Sequence, residues 1–278
     1  MTETTGKPID VAVLYLSRGA DPDWRAATER FVSSYRNQPS GCDHRLYLIR
    51  KGFQSKAALK SAASVFGDLK PQIIDVDDEG FDLGAYRQAC VNLTERYVCF
   101  FNTNSEILGS NWLHKLLVHL KRPAIGMVSA SGSFESMGQG DPDYPEFPNI
   151  HLRSNAFMID RLLFLDLIGT QPFVVKEDAY RAESGLNSLS RQVRRRGLET
   201  LLVGRNGRGY APQWWPVSDT FRQGAQSNLL IGDNQTRWFA ALPPDQKANV
   251  AKLSWGGYPA AALSPLWLKR LVKDLGSQ

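Results

Sequence analysis

Cysteine is scarce: Cys42, Cys90 and Cys99 are the only three in 278 residues. An odd number with no CxxC pair excludes a disulfide framework and a zinc knuckle, and fits a reducing compartment. The four histidines, His44, His114, His119 and His151, stand at no metal-ligand spacing and read as structural or surface residues. No stretch approaches the roughly 18 uninterrupted apolar residues of a spanning helix. Met1–Asp10 is polar and lacks the basic-then-apolar pattern of a signal peptide. Together these absences predict a cytoplasmic protein. With 33 basic and 28 acidic residues, the net charge of +5 is too dilute to argue for nucleic acid, though it suits anionic small molecules.

What the chain does have is 42% hydrophobic residues, enough for a full core, arranged as short apolar runs alternating with helical spacing. Val11–Leu16 is almost wholly apolar, as expected of a strand covered on both faces. A helix is predicted over 24–35, behind the Asp21-Pro22 start signal, and a strand over 44–50. The alternation continues with helix 56–66, strand 72–76, helix 84–92, strand 96–101, helix 112–120 and strand 125–129. A long Gly/Ser/Pro-rich passage follows over 131–148. Beyond it a strand is predicted over 152–159, a helix over 161–168, a basic helix over 186–196 and a strand over 200–203. This is an α/β pattern, a mostly parallel sheet flanked by helices.

In open α/β sheets, ligands collect beyond the carboxyl ends of the strands, so the chemistry is sought in the loops there. Asp75–Tyr86 joins a strand to a helix through Asp77, Asp78, Gly80, Asp82 and Gly84. The glycines permit close backbone approach and the helix start favours an anion, while Asp82 is equally suited to capping. Asn102-Thr103-Asn104-Ser105 follows the strand 96–101 and offers carbonyl and hydroxyl oxygens, suited to a diphosphate, a hard cation or a plain turn. Lys176–Gly185 carries several carboxylates before a helix beginning near Gly185. One of them suits a general base, while Ser184 suits a cap.

The ordered series Gly-Phe-Asp-Leu-Gly-Ala-Tyr (80–86), Phe-Phe-Asn-Thr-Asn-Ser (100–105), Trp-Leu (112–113) and Ile-Gly-Met-Val (125–128) resembles the nucleotide-sugar half of a GT-A glycosyltransferase. Within that superfamily it is most similar to bacterial rhamnan-synthesis and O-antigen polysaccharide transferases. Arg153–Ile159, Glu183–Leu189 and Asp233–Thr236 extend the resemblance over most of 10–238. It implies a GT-A-like domain over 1–240, with a nucleotide-sugar half (1–130) and an acceptor and catalytic half (131–240). A C-terminal helical extension follows over 241–278.

The resemblance also implies roles. Ser17, Asp77, Asp78 and Asp82 would hold the nucleotide of a UDP- or dTDP-linked sugar. The family's DxD triplet, which holds manganese or magnesium against the diphosphate, corresponds to Asn102-Thr103-Asn104. Asparagine offers a neutral oxygen where the family has charge, so metal dependence and activity turn on Asn102 and Asn104. Without a metal, arginine must stabilise the departing diphosphate. Arg222 is preferred, ahead of Arg237 and the run Arg194–Arg196. Glu183 occupies the place of the base, with Asp178 in reserve, and Asn155, Asp233 and Asn234 would complete the donor or acceptor site. The acceptor would be a saccharide, free or lipid-linked.

Other signals carry less. Gly204–Gly209 is neither GxGxxG nor Walker A, and Asn206-Gly207 predicts a hairpin turn. Trp214 and Trp215 suit sugar stacking or the core equally. Over 263–275, Leu263, Trp267, Leu271 and Leu275 recur at helical intervals beside Lys269, Arg270 and Lys273. Such a helix would dock on the domain or rest peripherally on an anionic membrane at its inner face. The replaced DxD carboxylates also suit a non-catalytic nucleotide- or glycan-binding module that partners an active transferase.

Overall fold

The computed structural model describes residues 9–138, 140–170 and 172–257. Its first part runs β1 (Val11–Arg18), α1 (Trp24–Asn37), β2 (Arg45–Lys51), α2 (Lys56–Ser64), β3 (Gln72–Val76), α3 (Phe81–Val91), β4 (Tyr97–Phe101), β5 (Glu106–Ile107), α4 (Trp112–Leu120) and β6 (Ile125–Ser129). The second part runs β7 (Gly132–Ser133), β8 (His151–Leu152), β9 (Ala156–Asp160), α5 (Arg161–Ile168), α6 (Lys176–Ser184), α7 (Leu189–Arg195), β10 (Glu199–Val203), β11 (Gly209–Tyr210), β12 (Ile231–Gly232), α8 (Asn234–Ala241) and α9 (Pro244–Trp255).

Eight strands form one sheet in the order β11-β10-β6-β9-β4-β1-β2-β3. The fold is α/β, a mixed and mostly parallel sheet flanked by helices. Alternate residues of β1 serve two cores, which explains its unbroken apolar run. Ala12, Leu14 and Leu16 pack with Leu83, Tyr86, Phe164 and Val193 of α3, α5 and α7. Val11, Val13 and Tyr15 pack with Phe31, Trp112 and Leu116 of α1 and α4.

One strand decides where the site forms. β9 runs antiparallel between β4 and β6, pairing Phe101 with Ala156. The turn that enters β9 therefore arrives at the same edge from which β4 leaves. The expected strand over 152–159 is broken by this turn: β8 pairs with β7 in a separate small sheet, and Arg153–Asn155 intervene. The halves expected at 1–130 and 131–240 interleave in the single sheet.

The stretch 176–185, expected to precede a helix, folds differently. It is itself helix α6, and the basic helix expected over 186–196 is the shorter α7. Gly185 ends α6 in extended backbone, where a side chain would meet the Arg181 carbonyl oxygen at 2.7 Å. The hairpin turn at Asn206-Gly207 joins β10 to antiparallel β11, with Gly207 at φ 79°. α9 lies past residue 240 but inserts Trp255 into the first core. The helix expected over 263–275 lies outside the described residues.

Candidate functional site

Four loops meet at the carboxyl edge of β1, β2, β3 and β4. Arg18, ending β1, forms a bidentate pair with Asp78 at 2.9 and 3.1 Å and also reaches Asp21 at 2.9 Å. Lys51, ending β2, is 1% exposed; its Nζ donates to the carbonyls of Glu79 and Phe81 at 2.7 and 2.9 Å. That buried ammonium ties down the acidic loop after β3. Gly80 takes a left-handed φ of 75°, and a Cβ there would sit 3.0 Å from Gly84 Cα. The two glycines thus pack against each other within the chain.

This loop presents Asp82 on the first turn of α3, where Gly80 rather than Asp82 is the cap residue. Burial raises its carboxyl from 3.8 to about 6; Lys51 and Arg18 oppose the rise, while Asp21 and Glu183 add to it. A folded-state pKa above the unfolded one means that the native state holds the proton more tightly. Stability is therefore fully present below 3.8 and declines as pH rises to about 6. Asp82→Asn is expected to remove this part of the slope, which calorimetric melting of both proteins from about pH 4 to pH 7 would reveal.

Glu183, near the end of α6, reaches the edge from the other side. The Ser154 backbone N–H donates to Glu183 Oε2 at 2.7 Å, and the Ser154 hydroxyl donates to the same oxygen. Two donors on one oxygen fix the carboxylate's orientation. His151 lies close by, 3% exposed, with Nδ1 2.8 Å from the Asn149 carbonyl oxygen. Burial lowers its pKa, against the field of Glu183. Asn155 is 3% exposed; its carbonyl accepts from Asn102 N–H at 3.0 Å and from Ser105 Oγ at 3.0 Å. Asn102, Asn155, Ser154 and Glu183 are thereby linked through the β9 turn.

The Asn102–Asn104 triplet is a side-chain-capped turn. Asn102 Oδ1 accepts from Asn104 N–H at 3.1 Å and from Ser105 Oγ at 3.0 Å, and the Thr103 carbonyl accepts from the Tyr15 hydroxyl at 2.8 Å. Of the two side-chain oxygens that would have to bind manganese or magnesium, that of Asn102 is already engaged, and both are neutral. Among the described residues no group of three His, Cys, Asp or Glu side chains is placed to hold a metal ion. The donor set does not fit a tightly held divalent cation.

The remaining expected residues are engaged within the fold, some of them bordering this edge. Ser17 is fully buried and bonded to Thr28 Oγ1 at 3.0 Å, beneath the edge rather than on it. Asp77 turns away, accepting from Glu79 N–H at 3.1 Å and Gln88 Nε2 at 2.8 Å. Asp178 caps α6, accepting from the N–H groups of Val174 and Val175 at 2.8 and 3.0 Å; these bonds hold its carboxyl below the usual range. Asp233 caps α8 and pairs with Arg153 at 2.9 Å, while Asn234 is exposed at the first position of that helix. Arg222 is bonded to Glu135 at 2.9 Å and Gln235 at 3.0 Å, and Arg237 meets the Asn104 carbonyl at 3.3 Å. Arg194 donates to the Ile150 carbonyl at 2.8 Å, Arg195 to Asn187 at 2.8 Å, and Arg196 pairs with Asp166, so the arginine run is structural. Trp215 is core, its Nε1 donating to the Tyr210 carbonyl at 2.8 Å.

Sequence reasoning assigned no role to Ser154, Arg153 or Lys51. Only Lys51 left a signal, as a buried charge beside Arg50 at the end of β2.

No family model and no curated protein matches the chain. Among solved structures, it is similar to the galactosyltransferase LgtC in complex with donor and acceptor sugar analogues. That match has 10% identity and a TM-score of 0.39, covering 54% of this chain and 58% of that one. An active-site mutant of LgtC gives 10% identity and a TM-score of 0.40, covering 54% and 57%. The chain thus spans little more than half of either structure. Among the described residues no helix is long and apolar enough to cross a membrane.

Proposed function

We propose that this chain is a GT-A-like glycosyltransferase that moves a sugar from a UDP- or dTDP-linked donor to a saccharide acceptor, in bacterial surface-polysaccharide assembly. The observation that carries the reading is Glu183 fixed by two Ser154 donors at the strand edge that also presents Asp82 and the Asn102–Asn104 turn. The ordered sequence motifs support it. In this reading Glu183 takes the proton of the acceptor hydroxyl as that oxygen bonds to the anomeric carbon. The bond from that carbon to the diphosphate oxygen breaks with its electron pair. Because the donor set at Asn102 and Asn104 does not fit a divalent cation, arginine is left to stabilise the departing charge. The acceptor is free or lipid-linked, the latter reached from the membrane's inner face.

Calorimetric titration with UDP, dTDP, GDP and CMP, each with manganese and again with chelator, tests the donor. One nucleotide is expected to bind with little change in chelator. Binding of none would overturn the reading. A second reading, a non-catalytic nucleotide- or glycan-binding partner of an active transferase, is favoured by the engaged Asn102 oxygen. The double variant Asn102→Asp, Asn104→Asp separates the two. An active wild type supports the first reading; a silent wild type with a metal-dependent, active variant supports a decayed enzyme.

A further inference from the structure

Arg153 and Arg222 share one aromatic ring. Their guanidinium carbons lie 4.1 and 4.8 Å from the centroid of Phe221, and their side chains are 14% and 13% exposed. Two like charges stacked on one ring and withdrawn from water repel each other. Burial works against the charge of Arg222, and so does Arg153. A stable core has no use for such a pair unless anions hold it together.

Two carboxylates do so, on unequal terms. Asp233 is 1% exposed; one oxygen caps α8 and the other lies 2.9 Å from Arg153, so it is fixed on both sides. Glu135 is 27% exposed and bonds Arg222 at 2.9 Å. It belongs to the long passage after β7 and lines an open cavity of about 1260 Å³ with Met137, Phe147 and Leu253. Arg222 also donates to Gln235 Oε1 at 3.0 Å, and its buried Nε has no hydrogen-bond partner among the described residues. Its backbone sits at φ 51°, the left-handed region that a non-glycine residue adopts only under constraint. Trp238, 47% exposed, flanks the guanidinium at 5.6 Å. Arg222 also donates to Ser254 Oγ at 3.3 Å, so of its counter-charges only Glu135 both pairs with the guanidinium and borders the open cavity, which is the arrangement of an anion site with an internal occupant.

We propose that Arg153 and Arg222, clamped on Phe221, bind a diphosphate group, and that Glu135 occupies this site as a counter-ion which the ligand displaces. The ligand's identity rests on the glycosyltransferase reading; the site itself rests on the arginine pair. The diphosphate belongs either to the donor nucleotide or to a lipid-linked acceptor.

The test is calorimetric titration of the full chain with inorganic pyrophosphate, UDP and geranyl diphosphate, for the wild type, Glu135→Gln, Arg222→Gln and the double variant. Removing the competing charge is expected to tighten pyrophosphate binding roughly 5-fold or more, and the double variant should lose the gain. Unchanged or weaker pyrophosphate binding in Glu135→Gln, with a lowered melting temperature, identifies a structural ion pair and overturns the proposal. Should Glu135→Gln fail to fold, Glu135→Asp, with its shorter reach, carries the same expected sign. A gain seen with pyrophosphate in a protein that binds no nucleotide keeps the site and discards the donor reading. UDP binding indifferent to both substitutions does the reverse. Whether the gain extends to UDP or to geranyl diphosphate assigns the source.

Discussion

Glu183→Gln is expected to lower the rate of sugar transfer by about 10²–10⁴-fold while leaving donor affinity unchanged. The amide keeps an oxygen where Ser154 N–H and Oγ donate, so the side chain stays in place and only the capacity to accept a proton is lost. Single-turnover transfer at saturating donor, paired with calorimetric donor binding, measures the two quantities separately. Full activity in the variant would remove Glu183 from the role of base. Ser154→Ala gives a finer reading. It deletes the hydroxyl but not the N–H, so the carboxylate survives with one donor of two. A fall in rate at constant donor affinity, smaller than that of Glu183→Gln, marks Ser154 as a positioning residue. Equal losses in the two variants would indicate that the turn before β9 has collapsed.

Those two residues also show where the sequence was informative and where it was silent. The sheet was legible because β1, β4 and β6 are covered on both faces, which leaves runs such as Val11–Leu16 and Ile125–Val128 with almost no polar interruption. Helices α1 and α4 carry clear apolar stripes. Helix α6 does not. Its only fully buried residue is Ser184, and its carboxylates Glu177 and Asp178 are start signals that resemble a loop. The break between β8 and β9 was invisible because Leu152 and Ala156–Ile159 are all buried, so apolar character runs across a turn. Glu183 was found by its place in a motif. Ser154 was not, since its donors act on a residue 29 positions away and no local pattern encodes that distance. The Asn102 triplet is the reverse case. Its composition suggested a ligand set, but asparagine followed two residues later by a free N–H closes a turn on itself, as happens here. The pairing of Arg153 with Asp233 and of Arg222 with Glu135 depends on contacts across 80 and 87 residues, which only the folded chain brings together.

Trp255→Ala is expected to destabilise the protein by about 3–5 kcal/mol, the cost of emptying a large aromatic site in a close-packed core. The side chain is fully buried, its ring is edge-on to Phe134 at 5.3 Å, and its Nε1 donates to the Phe221 carbonyl at 2.9 Å. The neighbouring Ser254 carbonyl accepts from Phe134 N–H at 2.9 Å, so α9 fixes the start of the long passage that carries Glu135. Equilibrium unfolding in urea measures the loss. Trp238→Ala, removing an equally large but 47% exposed ring, should cost clearly less than Trp255→Ala and serves as the comparison. The contrast matters because Phe221, whose carbonyl Trp255 holds, is the ring on which Arg153 and Arg222 stack. If α9 were a loosely attached extension, Trp255→Ala would cost no more than Trp238→Ala, and deletion from residue 241 onward would leave a folded domain. With Trp255 in the core, that deletion is expected to expose Phe134 and Phe221 together and to yield aggregated protein. A helix past the expected domain boundary then supports the floor of the arginine pair.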